Sequence, residues 1–227
     1  MKIQPLSEDS LIVYMGDGID RLVARKVKAA TYRIRQDLFS YVVDIIPSYN
    51  SIHLTYDLTQ ADFFWFHSQL RGLLADIDGM TFSDQKGAVI EIPVYYGDEV
   101  ALDIADIVER CHLSRDEIVT IHSQQLYTVY AIGFSPGFAY LGNTDQRIAM
   151  PRKNTPRLRV PAGSLGIADT QTAIYPSDSP GGWQILGRTP IELLDFQKSS
   201  LTPMDMGDLV KFVEIDRKEY LSLGGRL

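Results

Sequence analysis

Only one cysteine, Cys111, occurs in 227 residues. No internal disulfide can form, the thiol is expected to be a small buried apolar side chain, and a reducing compartment fits. No apolar run approaches the ~18 residues of a membrane span. The opening MKIQPLSEDS lacks a basic stretch followed by an apolar one, so no signal peptide is expected and the expected location is the cytoplasm. There is no H-x-x-x-H, no C-x-x-C and no EF-hand loop, so no protein-held metal is expected. The G-x-x-x-x-G-K-[ST] phosphate loop is absent, as is the Met-Lys-Met context of a biotin-carrying lysine. Positive charge is in deficit: 22 Lys and Arg face 29 Asp and Glu, a net charge of −7. A pI near 5.1 argues against nucleic acid or an anionic membrane as main partner. No internal repeat or low-complexity tract is visible, and the length suits one or two domains.

What is present begins as an α/β pattern. The run Leu11 to Tyr14, within Gln4 to Met15, predicts a strand. Ile19, Leu22, Val23, Val27, Ala30 and Ile34 recur at steps of three and four, predicting an amphipathic helix to about Leu38 with Asp17 as its cap or first-turn acid. Strands at Tyr41 to Ile46 and Ser51 to Tyr56 and a helix from Gln60 to Ile77 complete β-α-β-β-α, five elements of a split β-α-β unit. The sixth is either Met80 to Phe82 or Ala88 to Tyr95. Polar Ser83 to Gly87 suggests a boundary between residues 1–86 and 87–227. Beyond it come a strand around Val89 to Tyr95 and helices Leu102 to Cys111 and Ser114 to His122, the second with a capping box. Strands are then expected at Tyr127 to Ile132, Ile191 to Phe196 and Asp208 to Ile215.

Gly133 to Pro190 holds eight of the 17 glycines and seven of the 11 prolines. Such spacing predicts short strands joined by shaped loops, with Gly133, Pro136, Gly137, Gly163, Gly181 and Gly182 forming the turns. Gly133-Phe134-Ser135-Pro136-Gly137 matches the nucleophile-elbow pattern. No helix start follows it, however, and all four histidines precede the serine, so it is read as a Pro-Gly turn. The two helices before His122 resemble a helix-turn-helix, but acids open the second one, which argues against DNA.

Arg147, Arg152, Lys153, Arg157 and Arg159 form a basic patch in an acidic chain. It suits either a solvated rim or a grip on carboxylate or phosphate. Arg157 and Arg159, two apart on a strand, are expected to point to one pocket as substrate-binding residues. Gln171, Tyr175 and Trp183 suit an amide- or lactam-like ligand, although the tryptophan equally suits a core. His122, ending a helix ahead of the Gly-rich loops, is the candidate catalytic proton carrier, with the helix C-terminus favouring its charged form.

GFSPGFAYLG, PRLRVPAGSLGIADTQTAIYP and SPGGWQILGRTP, in order and preceded by His122-Ser123 and the strand from Ile90 to Gly97, resemble the KipI family. That family is also described as allophanate hydrolase subunit 1 and as one of the subunits of 5-oxoprolinase. The resemblance implies an α+β protein: a small α/β N-terminal domain, then a cyclophilin-like β-barrel. It further implies a companion carboxyltransferase-like subunit, a third separate subunit, and ATP-dependent opening of 5-oxoproline to glutamate by the complex. Related modules act in urea carboxylase. Some family members instead inhibit a sensor histidine kinase, the rival reading of this chain. Departures from the family pattern fall at Ala168-Asp169-Thr170, where a glycine-containing turn is usual, at Ala173, and at Thr144-Asp145.

Overall fold

The computed structural model describes residues 1–80, 89–197 and 201–227. The chain divides into two compact units, Met1–Gln85 and Lys86–Leu227. The boundary expected at Ser83 to Gly87 and most of the candidate strand Met80 to Phe82 lie outside the described residues. Among the described residues no helix is long and apolar enough to cross a membrane.

The first unit contains β1 (Lys2–Pro5), β2 (Ser10–Tyr14), α1 (Arg21–Asp37), β3 (Val42–Ser48), β4 (Ser51–Tyr56) and α2 (Phe63–Leu73). β4 lies between β2 and β3 and is antiparallel to both, so it splits the β2-α1-β3 unit. β1, not foreseen as a separate strand, pairs antiparallel with β2 on the other side. The cap of α1 is Asp20, not Asp17: its carboxylate accepts the Val23 N–H at 2.9 Å. Asp62 does the same for α2 through the Trp65 N–H. Of the expected apolar stripe of α1, Val23, Val27, Ala30 and Ile34 are buried, whereas Leu22 is exposed and Ile19, also exposed, precedes the helix; Phe66 of α2 stacks on Tyr56 at 4.6 Å.

The second unit holds β5 (Val89–Val94), α3 (Ile104–Cys111), α4 (Arg115–Gln124), β6 (Leu126–Ile132), β7 (Ala139–Gly142), β8 (Arg157–Val160), β9 (Ser164–Ala168), β10 (Gln171–Ile174), β11 (Ser179–Gly181), β12 (Gln184–Arg188), β13 (Leu209–Glu214) and α5 (Arg217–Ser222). Pairing runs β5-β13-β6-β7-β10-β9-β12, antiparallel except for β5 with β13. Two backbone hydrogen bonds between Tyr95 and Arg188, 2.9 and 2.8 Å, join the ends of this path and close the circuit. β8 and β11 form a separate two-stranded ribbon.

Side chains from this circuit and from α3 and α4 make one core, including Ile92, Ile118, Val129, Leu141, Ile167, Leu186 and Phe212. The capping box at Ser114 and Glu117 is formed. No strand forms at Ile191 to Phe196: Leu193 turns into the core while Phe196 stays exposed, so the run lacks the two-faced alternation a strand needs.

Candidate functional site

Three glycine-bearing segments meet around Phe138. The β6–β7 turn closes through Gly133 N–H to the Phe138 carbonyl (3.0 Å) and Phe138 N–H to the Ser135 carbonyl (3.1 Å). Gly137 occupies the left-handed region (φ 75°), and a Cβ there would sit 2.6 Å from Leu194 Cδ2. Phe134 also has a positive φ of 72°, uncommon for an aromatic residue, and its ring is exposed. With Pro136 between them, these residues set Phe134 and Phe138 on the same side of the turn, 5.3 Å apart and edge to face. Phe138 makes further edge contacts with Tyr140 (4.9 Å), Tyr175 (5.3 Å) and Trp183 (5.7 Å). Such tilted geometries suit the quadrupoles of the rings.

These rings, with Pro156, Pro180, Gly181 and Gly182, enclose a cavity of about 230 Å³ whose rim carries Arg152 and Lys153. Gly181 matters for its missing side chain: a Cβ would lie 2.3 Å from the Tyr175 hydroxyl oxygen. Burial raises the Tyr175 pKa, while the Trp183 backbone N–H and the Arg152 charge pull the other way. The result is a small, mostly apolar slot walled by mutually tilted rings, with cations among its lining residues, suited to a small ring.

The basic patch is not one grip. Arg157 turns to Asp103 in a two-pronged contact, Nη1 to Oδ2 at 2.8 Å and Nη2 to Oδ1 at 2.7 Å. Asp103 is buried and also accepts Lys153 Nζ (2.6 Å) and the Ile185 N–H (2.7 Å). Burial pushes the Asp103 carboxyl up, but these four hydrogen bonds outweigh it and hold the group below the usual range. Arg159, largely exposed, pairs instead with Asp178. The expectation that Arg157 and Arg159 share one pocket is therefore corrected: each is drawn to its own aspartate. Arg147 pairs with Asp145. Among the described residues, Arg152 alone of the five has no carboxylate partner.

His122 does not face the loops. It is fully buried; Nδ1 lies 2.9 Å from the Tyr96 hydroxyl and Nε2 lies 3.0 Å from Thr172 Oγ1. Thr172 donates onward to the Gly166 carbonyl at 3.1 Å. Burial lowers the imidazole pKa to about 3, the reverse of the shift expected from the helix end, because removal from water costs the charged form more than the dipole returns. A neutral ring with both nitrogens engaged ties α4 to β10, and that is a structural task.

Of the other expected residues, Tyr175 and Trp183 line the cavity and Gly181 and Gly182 form its wall. Gln171 instead starts β10, paired with Gly142 and Ala168, and is not in the lining. Gly163 (φ 80°) shapes a turn against the Thr189 carbonyl, also outside the lining. Phe134, Phe138, Tyr140 and Asp103 escaped the sequence reading. The i, i+2 spacing of Phe138 and Tyr140 marks a shared strand face, but nothing local signals that Asp103 meets Arg157, 54 residues away.

Residues 1–204 match the family model described as carboxyltransferase domain, subdomain C and D. The chain is similar to a protein of Bacillus subtilis (strain 168) named as a 5-oxoprolinase subunit, at 37% identity over 96% of this chain and 95% of that protein. It is likewise similar to a protein of the same name in Haemophilus influenzae, at 36% identity over 94% and 97% of the two chains. Among solved structures it resembles TTHA0988, with a TM-score of 0.82 and 30% identity over 92% of this chain. It spans 41% of that longer chain.

Proposed function

The chain belongs to the carboxyltransferase-domain family, subdomain C and D, and from that membership we propose that it is a subunit of an ATP-dependent 5-oxoprolinase, inactive alone. In this reading the complex opens 5-oxo-L-proline to L-glutamate, with a companion carboxyltransferase-like subunit and a third separate subunit. The observation that carries it is the near-complete, 37% identical match to a protein named as a subunit of 5-oxoprolinase. The ring-walled cavity supports it: its size and aromatic lining suit a five-membered lactam, and its rim is basic where the substrate is anionic.

We assign ATP to another chain of the complex. The sequence has no Walker-type loop to cradle the phosphates, and the aromatic slot, at about 230 Å³, is below the roughly 300–1,000 Å³ of pockets for drug-sized ligands. This chain's own part is to receive the ring, orient it and shield one face from water. The closed strand circuit is read as the cyclophilin-like barrel of residues 87–227, and residues 1–86 as the separate α/β domain.

The test is to purify this chain alone and together with the companion subunits, and to follow lactam-dependent ATP hydrolysis and glutamate release. Activity is expected from the full mixture and not from the lone chain. Turnover by the lone chain would refute the subunit assignment, and silence in every mixture would refute the enzyme assignment.

A further inference from the structure

The five basic residues between positions 147 and 159 differ in one respect. Arg147, Lys153, Arg157 and Arg159 each have a carboxylate within 2.8 Å. Arg152, at the lip of the aromatic slot, has none among the described residues. It also borders the neighbouring open hollow, about 740 Å³, that runs past Arg110, His112 and Gln184. Its guanidinium thus stands where the apolar slot opens to water. An arginine fork has no acceptor function, and its five donors match a carboxylate two at a time.

We propose that Arg152 is the specificity-determining residue of the slot: it grips the carboxylate of a small planar ring seated among Trp183, Tyr140 and Phe138. The other basic residues do not compete for this role, because the buried Asp103 holds Arg157 and Lys153 and an exposed aspartate holds Arg159. The walls of the slot offer few polar atoms. Discrimination therefore falls on the single unpaired charge at its mouth. The identity of the ligand as 5-oxoproline rests on the function proposed above; the class, a planar ring carboxylate, rests on the slot and Arg152.

Calorimetric titration of the full chain and of the assembled complex tests this with three probes: 5-oxo-L-proline, pyrrolidin-2-one (the same ring without the carboxylate) and pyrrole-2-carboxylate. A charge-assisted fork predicts that Arg152→Ala weakens both carboxylates by at least about tenfold, that Arg152→Lys is intermediate, and that Arg147→Ala changes nothing. Pyrrolidin-2-one should bind weakly and equally to all four proteins. In the complex, Arg152→Ala should raise KM for the lactam far more than it lowers kcat. Unchanged carboxylate affinity in Arg152→Ala, or pyrrolidin-2-one binding as tightly as 5-oxoproline, overturns the proposal. If 5-oxoproline neither binds nor turns over while pyrrole-2-carboxylate binds in an Arg152-dependent way, the 5-oxoprolinase reading fails and the site stands. If neither carboxylate binds the chain or the complex, the site fails as well.

Discussion

With its ring stacked on Phe212 at 4.9 Å and both nitrogens bonded inside the core, His122 titrates at about 3, against roughly 6.5 in an unfolded chain. Between these values the unfolded chain takes up a proton that the folded chain refuses. Its contribution to stability is therefore complete above about pH 6.5 and is lost as pH falls toward 3, on the order of 5 kcal/mol over the whole window. Urea unfolding from pH 7 to pH 4 should show this decline. In His122→Gln, stability at pH 7 should fall by about 1–3 kcal/mol as the bonds to Tyr96 and Thr172 are disturbed, while the slope below pH 6.5 becomes shallower. Parallel pH profiles in the two proteins would remove His122 from this role. The same burial means that no inflection in a pH–rate profile of the complex should vanish with His122. Asp103 is a second residue whose role is set by its neighbours: a buried carboxylate kept charged by two cations and a backbone N–H.

At the scale of elements, the β8–β11 ribbon and the β6–β7 turn bring the cavity walls together, and both depend on positions where a Cβ does not fit. Gly181→Ala would drive a methyl into the Tyr175 hydroxyl, 2.3 Å from its oxygen. Overpacking of this kind costs about 1–3 kcal/mol, and here the ring that must move is a wall of the slot. A lowered Tm together with weakened ring-carboxylate binding is expected, whereas Gly182→Ala, whose Cβ would meet Pro156 at an ordinary 3.5 Å, should bind normally. Equal behaviour of the two variants would show that the slot does not depend on this approach. The turn at Ala168-Asp169-Thr170 makes a related point. Asp169 takes φ 51°, and aspartate is one of the few non-glycine residues that visit this region readily, as the expected departure from a glycine-containing turn requires. The β9–β10 hairpin survives the substitution, with Gln171 opposite Ala168.

For the whole molecule, β13, a strand expected from the sequence at Asp208 to Ile215, joins two parts of the circuit. It lies beyond residue 204, where the family match ends, yet it sits between β5 and β6 and carries Phe212 onto His122. A chain ending at residue 204 would strip β5 of its strand partner, open one edge of β6 and leave the histidine ring without Phe212. Its amide hydrogen exchange in β6, β7 and β10, which reports on the second unit alone, should show no cooperative thermal transition, whereas a chain cut after residue 215, which keeps β13, should retain one. A cooperative transition in the shorter chain would mean that the circuit does not need its central strand. Much of this architecture was legible in the residues themselves. The stripe of α1, the capping box at Ser114, most strands and the crowding of glycine and proline into loops arise from interactions within a few positions, which a linear pattern records. The cap moved from Asp17 to Asp20, and a strand at Ile191 to Phe196 failed to form, because caps and edge pairings turn on geometry that periodicity leaves free. Tertiary structure alone decided which member of the basic patch has no carboxylate partner among the described residues, and which histidine is sealed from water. Those outcomes depend on charges and rings brought together from 26 to 82 residues apart, and no local spacing encodes who the partner will be.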